Sequence, residues 1–254
     1  MRKYLNIGIA LLLLGAILVL PGFVSRERAA VLCQQVHIRI ADDELALQDI
    51  SEVEQYLVNR FHNIVGSPMD AVPSDTMERL LRHNPYIANA EVYTDLNGQV
   101  FIDIVEEKPI LRIFRPGGHS FYLSETGRLM PQKEGYVNRL PIFTGELDNL
   151  PLTGQYSDAE QYPQLQMLLE LGNYLNQDAF FRDMIDQVYM DSTQDINLIP
   201  RIGLHYIVLG NTLDLQQKME NLRVFYEKGL KEGSWDRYAA ISLKYKNQVV
   251  CTKR

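Results

Sequence analysis

Histidine and cysteine are the residues through which a chain of this kind would do covalent or metal chemistry, and here they are spaced against it. Five histidines, His37, His62, His83, His119 and His205, stand singly. No H-E-x-x-H, C-x-x-C or G-x-S-x-G tract occurs. A lone histidine is more often a surface or satisfied residue than a ligand. Cys33 and Cys251 are the only cysteines. In an exported chain they could form one disulfide, which would require the two ends of the soluble region to meet; two packed or free thiols is the preferred reading. Asp95 through Glu106 superficially resembles a calcium loop. Its glycine falls at the fourth position rather than the sixth, and its second half alternates like a strand. Asp42-Asp43-Glu44 reads as a solvated loop, and Gly117-Gly118 as a turn too short to cradle a phosphate. No catalytic residue, metal ligand or cofactor site emerges.

The surrounding pattern is that of a packed α+β chain. Val31 to Ile40 alternates after Gln34, with Val36, Ile38 and Ile40 on one side. Ile50 to Phe61 carries apolar residues at helical spacing, with Asp49 or Ser51 as its cap. Pro73 to Leu81 predicts a second helix, with Asp75 and Glu78 as a capping-box-like pair, ended by Asn84-Pro85. Asp95-Leu96-Asn97-Gly98 between alternating apolar runs predicts a hairpin. The order is therefore β-α-α-β-β. After Lys108-Pro109 come short strands at Ile110 to Phe114, Phe121 to Leu123, Leu129-Met130 and Pro141 to Thr144. A helix follows from Tyr162 to Leu175, then strands at Ile185 to Tyr189, Asn197 to Ile199 and His205 to Leu209. A helix from Leu213 to Lys228 precedes strands at Tyr238 to Tyr245 and Gln248 to Cys251, around a turn at Lys246-Asn247. The second sheet is expected to be mostly antiparallel, with the final strand at or near its edge.

One apolar run, Leu5 to Val24, stands apart. A membrane span takes about 20 such residues to cross roughly 30 Å of hydrocarbon. A cleaved signal peptide has a shorter core and a small-residue cleavage site, and Arg26 and Arg28 spoil the latter. A retained anchor is expected, with residues 1–4 cytoplasmic, 5–24 spanning and the remainder exported. The 254 residues carry a formal net charge of −7; Arg2 and Lys3 account for +2, leaving −9 for the rest. That acidity argues against nucleic acid and against an anionic bilayer surface as partners.

The tract Asn84-Pro85-Tyr86-Ile87-Ala88-Asn89-Ala90-Glu91-Val92 resembles the corresponding stretch of polypeptide-transport-associated (POTRA) domains, whose order is β-α-α-β-β. Further blocks are Glu107-Lys108-Pro109-Ile110, Phe121-Tyr122-Leu123 to Gly127, Met130-Pro131, Arg139-Leu140-Pro141, Arg201-Ile202-Gly203, Leu209-Gly210 and Lys244 to Cys251. With the anchor, they make the whole chain similar to the bacterial cell-division family FtsQ/DivIB. The resemblance implies a POTRA domain over 31–107 and a β-domain over 108–252. It implies a non-enzymatic scaffold in the inner (cytoplasmic) membrane at the division site, with its C-terminal region periplasmic, linking early and late division proteins. Its implied partners are the bitopic proteins FtsB and FtsL. The FtsB-binding strand maps onto Tyr245, Lys246, Asn247, Gln248, Val249, Val250 and Cys251. The POTRA recruitment helix maps onto Ser74 to His83, with Ser74, Asp75, Glu78, Arg79, Arg82 and His83 as its site residues. In the family's arrangement, Cys33 and Cys251 lie too far apart to bridge.

The alternative is a membrane-anchored periplasmic enzyme whose site is assembled from distant carboxylates; an enzyme would present a concave pocket with convergent polar groups, a scaffold an open sheet edge and an apolar patch. Independently of either, the full chain should fractionate with membranes, checked by sedimentation of a cell lysate. A soluble, shortened species beginning after Ser25 would overturn the anchor.

Overall fold

The computed structural model describes residues 31–41, 47, 49–62, 64–115, 118–133, 135–136, 139–145, 162–230 and 235–254. The expected span at 5–24, Asp42-Asp43-Glu44 and Gly117 lie outside these residues. Among the described residues no helix is long and apolar enough to cross a membrane. The chain divides into two compact units between Glu106 and Glu107.

The N-terminal unit has the expected order. β1 (Gln35–Ala41) is followed by α1 (Ile50–Phe61) and α2 (Ser74–Arg82), then β2 (Ile87–Thr94) and β3 (Gln99–Glu106). The sheet runs β1-β3-β2, with β1 parallel and β2 antiparallel to β3. Asp49 caps α1, its carboxylate accepting from Ser51 N at 2.8 Å. Val53 and Leu57 of α1, with Met77 and Leu81 of α2, bury against Ala90, Val92, Val100, Ile102 and Ile104. The β2–β3 turn is held by Asp95 Oδ1, which accepts from Asn97 N at 2.9 Å and Gln99 N at 2.7 Å. Gly98 there has φ +83°, and a Cβ would lie 2.5 Å from Leu32 O, so only glycine fits. The capping box expected of Asp75 and Glu78 does not form: α2 has no side-chain cap, and Glu78 reaches sideways to β2 instead.

The C-terminal unit is one nine-stranded sheet in the order β12-β11-β10-β9-β8-β7-β4-β5-β6. Its strands are β4 (Pro109–Phe114), β5 (Ser120–Ser124), β6 (Leu129–Pro131), β7 (Ile142–Gly145), β8 (Ile185–Met190), β9 (Ile196–Pro200), β10 (Tyr206–Gly210), β11 (Tyr238–Ser242) and β12 (Val250–Lys253). The pairs β4–β7, β7–β8 and β10–β11 are parallel; the others are antiparallel. One register row crosses most of the sheet: Ile113, Phe143, Val188, Leu198, Ile207, Ile241 and Cys251. It belongs to the core with Leu165, Leu168, Leu171 and Leu175 of α3 (Pro163–Gln177) and Phe181 of the short α4 (Ala179–Met184). Leu215, Met219 and Leu222 of α5 (Leu215–Val224) complete it.

Two expected elements end earlier than their apolar pattern suggests. The helix expected to Lys228 gives way at Phe225 to one π turn, Phe225–Gly229, which closes where Leu230 N reaches back five residues to Phe225 O at 3.0 Å. The strand expected to Tyr245 ends at Ser242, and the next begins only at Val250. Phe143, between Ile113 and Val188 in the register row, is fully buried and the bulkiest side chain in it. Phe143→Ala should cost about 3–5 kcal/mol through the cavity it opens, read as a lowered denaturant midpoint with the slope unchanged. A loss under about 1 kcal/mol would mean the row is not the packing centre.

Candidate functional site

The strand expected to bind a partner is β12, and it stands last in the nine-stranded order. It pairs antiparallel with β11 in the register Ser242↔Val250, Ile241↔Cys251 and Ala240↔Thr252. Of the seven residues assigned from the sequence, only Val250 and Cys251 lie in this strand. Tyr245, Lys246 and Asn247 form a turn closed by Gln248 N donating to Tyr245 O at 3.2 Å, with Asn247 at φ 56°. Gln248 and Val249 lead out of it. Thr252 and Lys253, which the sequence reading left out, complete the strand. The expected turn at Lys246-Asn247 forms, with Asn247 left-handed, and the segment implied by the resemblance runs back across it.

Side chains on this segment alternate as expected. Val249 and Cys251 pack on the core, and Val250 is 42 % exposed. Two hydrogen bonds fix which backbone groups face out. Leu243 N donates to Val208 O at 2.9 Å, so Ser242 and Ala240 turn theirs toward β12; Arg254 N donates to Arg237 O at 3.3 Å. By alternation, Val250 and Thr252 bond β11, and Cys251 and Lys253 direct their N–H and C=O away from the sheet.

Beside this edge lie two grooves, each of about 400 Å³. Leu213, Asp214, Gln217 and Lys218 face the turn Lys244–Asn247 across one. Asn221, Val224, Phe225, Lys228 and Gly229 face Asn247 and Val249 across the other. Leu213, Val224 and Tyr245 are exposed apolar groups on their rims. Two lysines of the lining are engaged internally. Lys218 Nζ donates to Leu209 O and Asn211 O at 3.2 and 2.8 Å, and burial lowers its pKa. Lys244 Nζ pairs with Asp195 Oδ2 at 2.5 Å, and that hydrogen bond raises its pKa. Among the described residues no group of three or more His, Cys, Asp or Glu could hold a metal ion. Cys33 and Cys251 are free thiols.

The recruitment helix divides in two. Asp75, Arg79 and His83 are exposed, His83 Nδ1 lying 2.5 Å from Arg79 O; Ser74 is half-buried at its start. Glu78 and Arg82 are committed to the sheet. Glu78 Oε1 accepts from Val92 N at 2.9 Å, and Arg82 Nη2 donates to Ala90 O at 2.8 Å while pairing with Glu78 Oε2 at 3.3 Å.

One further pair carries no sequence signal, because its members come from distant segments. His205, 3 % exposed, meets the Tyr226 hydroxyl at 2.5 Å through Nε2. Trp235 lies against Tyr226 with centroids 5.4 Å apart, and Arg254 Nη2 donates to Leu204 O at 2.7 Å. Burial depresses the His205 pKa and outweighs Asp236, which favours the imidazolium; Arg254 opposes it. Tyr226 shifts upward, chiefly by burial.

The comparisons come to bear on this geometry. The family model for FtsQ/DivIB, C-terminal related, matches residues 108–252, and that for POTRA-like domains matches residues 31–105. No curated protein matches.

The His205 site yields a pH prediction. Its folded pKa is depressed, so the unfolded chain takes up the proton first; stability is full above about pH 6.5 and falls as pH drops through it. The melting temperature should fall between about pH 7.5 and pH 5.5, and His205→Phe should flatten that slope. The lowered pKa values of Asp95, Asp103 and Asp191 act only at lower pH. An unchanged slope in the variant would show that His205 does not titrate against folding.

Proposed function

The chain belongs to the FtsQ/DivIB family, and from that membership we propose that it is a bitopic, non-enzymatic scaffold of the division machinery. Its exported region binds an FtsB- or FtsL-like partner by adding a strand to β12. The family is one of non-enzymatic cell-division proteins. In this reading the apolar run Leu5 to Val24 is the single span, and the units after it lie outside the inner membrane at the division site.

One observation carries the strand-addition reading. β12 ends a nine-stranded sheet, and Cys251 and Lys253 turn backbone donors and acceptors outward. An extended segment can satisfy that row, while alternate side chains supply selectivity. Val250 and Tyr245, exposed beside the grooves along α5, are the apolar contacts such a segment would find. Desolvated aromatic and aliphatic anchors of this kind dominate interface energetics, whereas Lys253 and Arg254 contribute chiefly to encounter with an acidic segment.

Backbone orientation chooses the test. Val250→Pro would remove a bond to β11 and cost stability, so the informative position is Lys253, whose N–H faces outward. Proline is tolerated at an edge on its solvent side. Lys253→Pro in the full chain should leave thermal unfolding within about 0.5 kcal/mol of the parent and weaken capture of the FtsB-like partner at least about tenfold, read by titrated pull-down. Tyr245→Ala should also weaken capture, without the backbone effect. Unchanged capture by folded Lys253→Pro would sink strand addition at β12.

A further inference from the structure

The sheet of the N-terminal unit has the order β1-β3-β2, so β2 is an edge strand as β12 is. Its sequence, Ile87-Ala88-Asn89-Ala90-Glu91-Val92-Tyr93-Thr94, is nearly uncharged and free of proline, the composition of a strand that accepts another. Two of its outward groups are nevertheless occupied. Val92 N donates to Glu78 Oε1 at 2.9 Å and Ala90 O accepts from Arg82 Nη2 at 2.8 Å. In a strand, residues two apart direct their backbone groups the same way. The carboxylate therefore takes the place of a neighbouring strand's carbonyl, and the guanidinium the place of its amide. The two side chains are themselves paired at 3.3 Å, and Arg82 Nε also donates to Asn89 Oδ1 at 3.1 Å. Buried Met77 and Leu81 anchor α2, so the pair is presented from a rigid support.

We infer that Glu78 and Arg82 close the outer edge of β2 against strand addition, and that without them β2 pairs with the β2 of a second copy of this chain. The inference does not depend on the reading of β12. It also separates α2 into two faces: Glu78 and Arg82 protect the edge, and Asp75, Arg79 and His83 stay exposed.

The test uses the full chain in detergent micelles, with hydrogen exchange at Val92 and sedimentation velocity over increasing protein concentration. Glu78→Ala/Arg82→Ala should speed exchange of the Val92 amide by at least about tenfold, the factor one hydrogen bond of ordinary net strength is worth. The amides of Ile102 and Ile104, inside the sheet on β3, should stay protected. That faster exchange belongs to the dilute, unassociated protein; as concentration rises the variant should self-associate beyond the parent, and Val92 should regain protection as the second copy's strand claims its amide. Glu78→Gln keeps an acceptor oxygen and should behave as the parent. Should the double variant lose α2, Glu78→Ala alone carries the same test, since Arg82 still bonds Ala90 and Asn89. Three results would each overturn the inference: unchanged exchange at Val92, faster exchange without added self-association, or Glu78→Gln behaving as the alanine variants do.

Discussion

The C-terminal unit depends on a single row of core-facing side chains, Ile113, Phe143, Val188, Leu198, Ile207, Ile241 and, partly buried at its end, Cys251, carried in register from strand to strand. These face α3 and α5, and the core they form leaves no room for a one-residue slip, which would invert every side chain on the slipped strand. The row reaches the last strand through Cys251. Burying Cys251 turns Val250 outward and, through the ladder to β11, leaves the backbone groups of Cys251 and Lys253 unclaimed by the sheet. The packing that stabilises the sheet therefore also specifies what its edge presents.

The two sheets treat their edges differently. In the N-terminal unit an ion pair from α2 stands over Ala90 and Val92 of β2. At β12, among the described residues, no side chain caps the outward amides of Cys251 and Lys253. An unpaired edge risks indiscriminate association, and natural proteins normally blunt it.

Much of this was legible locally. The hairpin follows from Asn97-Gly98 between alternating runs, α1 from Asp49 ahead of Val53 and Leu57, and α3 from its leucine spacing. The edge position of the final strand follows from its place at the end of a β-rich stretch. What escaped depends on contacts between distant segments. The parallel pairs β4–β7, β7–β8 and β10–β11 are set by how crossovers pack, which no local period encodes. Glu78 looks like a capping residue from its spacing to Asp75, yet bonds Val92, fourteen positions on. The turn at Lys246-Asn247 is legible and forms, with Asn247 at positive φ, whereas the segment that the resemblance implies for a partner reaches back across it to Tyr245. His205 and Tyr226 gave no signal, since neither residue alone implies the other.

Cys251 turns inward, and this has a chemical consequence. The nucleophile in thiol chemistry is the thiolate, and burial pushes this thiol's pKa up. Its ionised fraction at neutral pH is accordingly small, and its sulfur packs on the core rather than on the solvent side of the strand. A segment added along β12, as proposed, would meet the backbone of this residue and set one of its own core-side side chains beside the sulfur. A thiol so placed is slow to form sulfenic acid or a mixed disulfide.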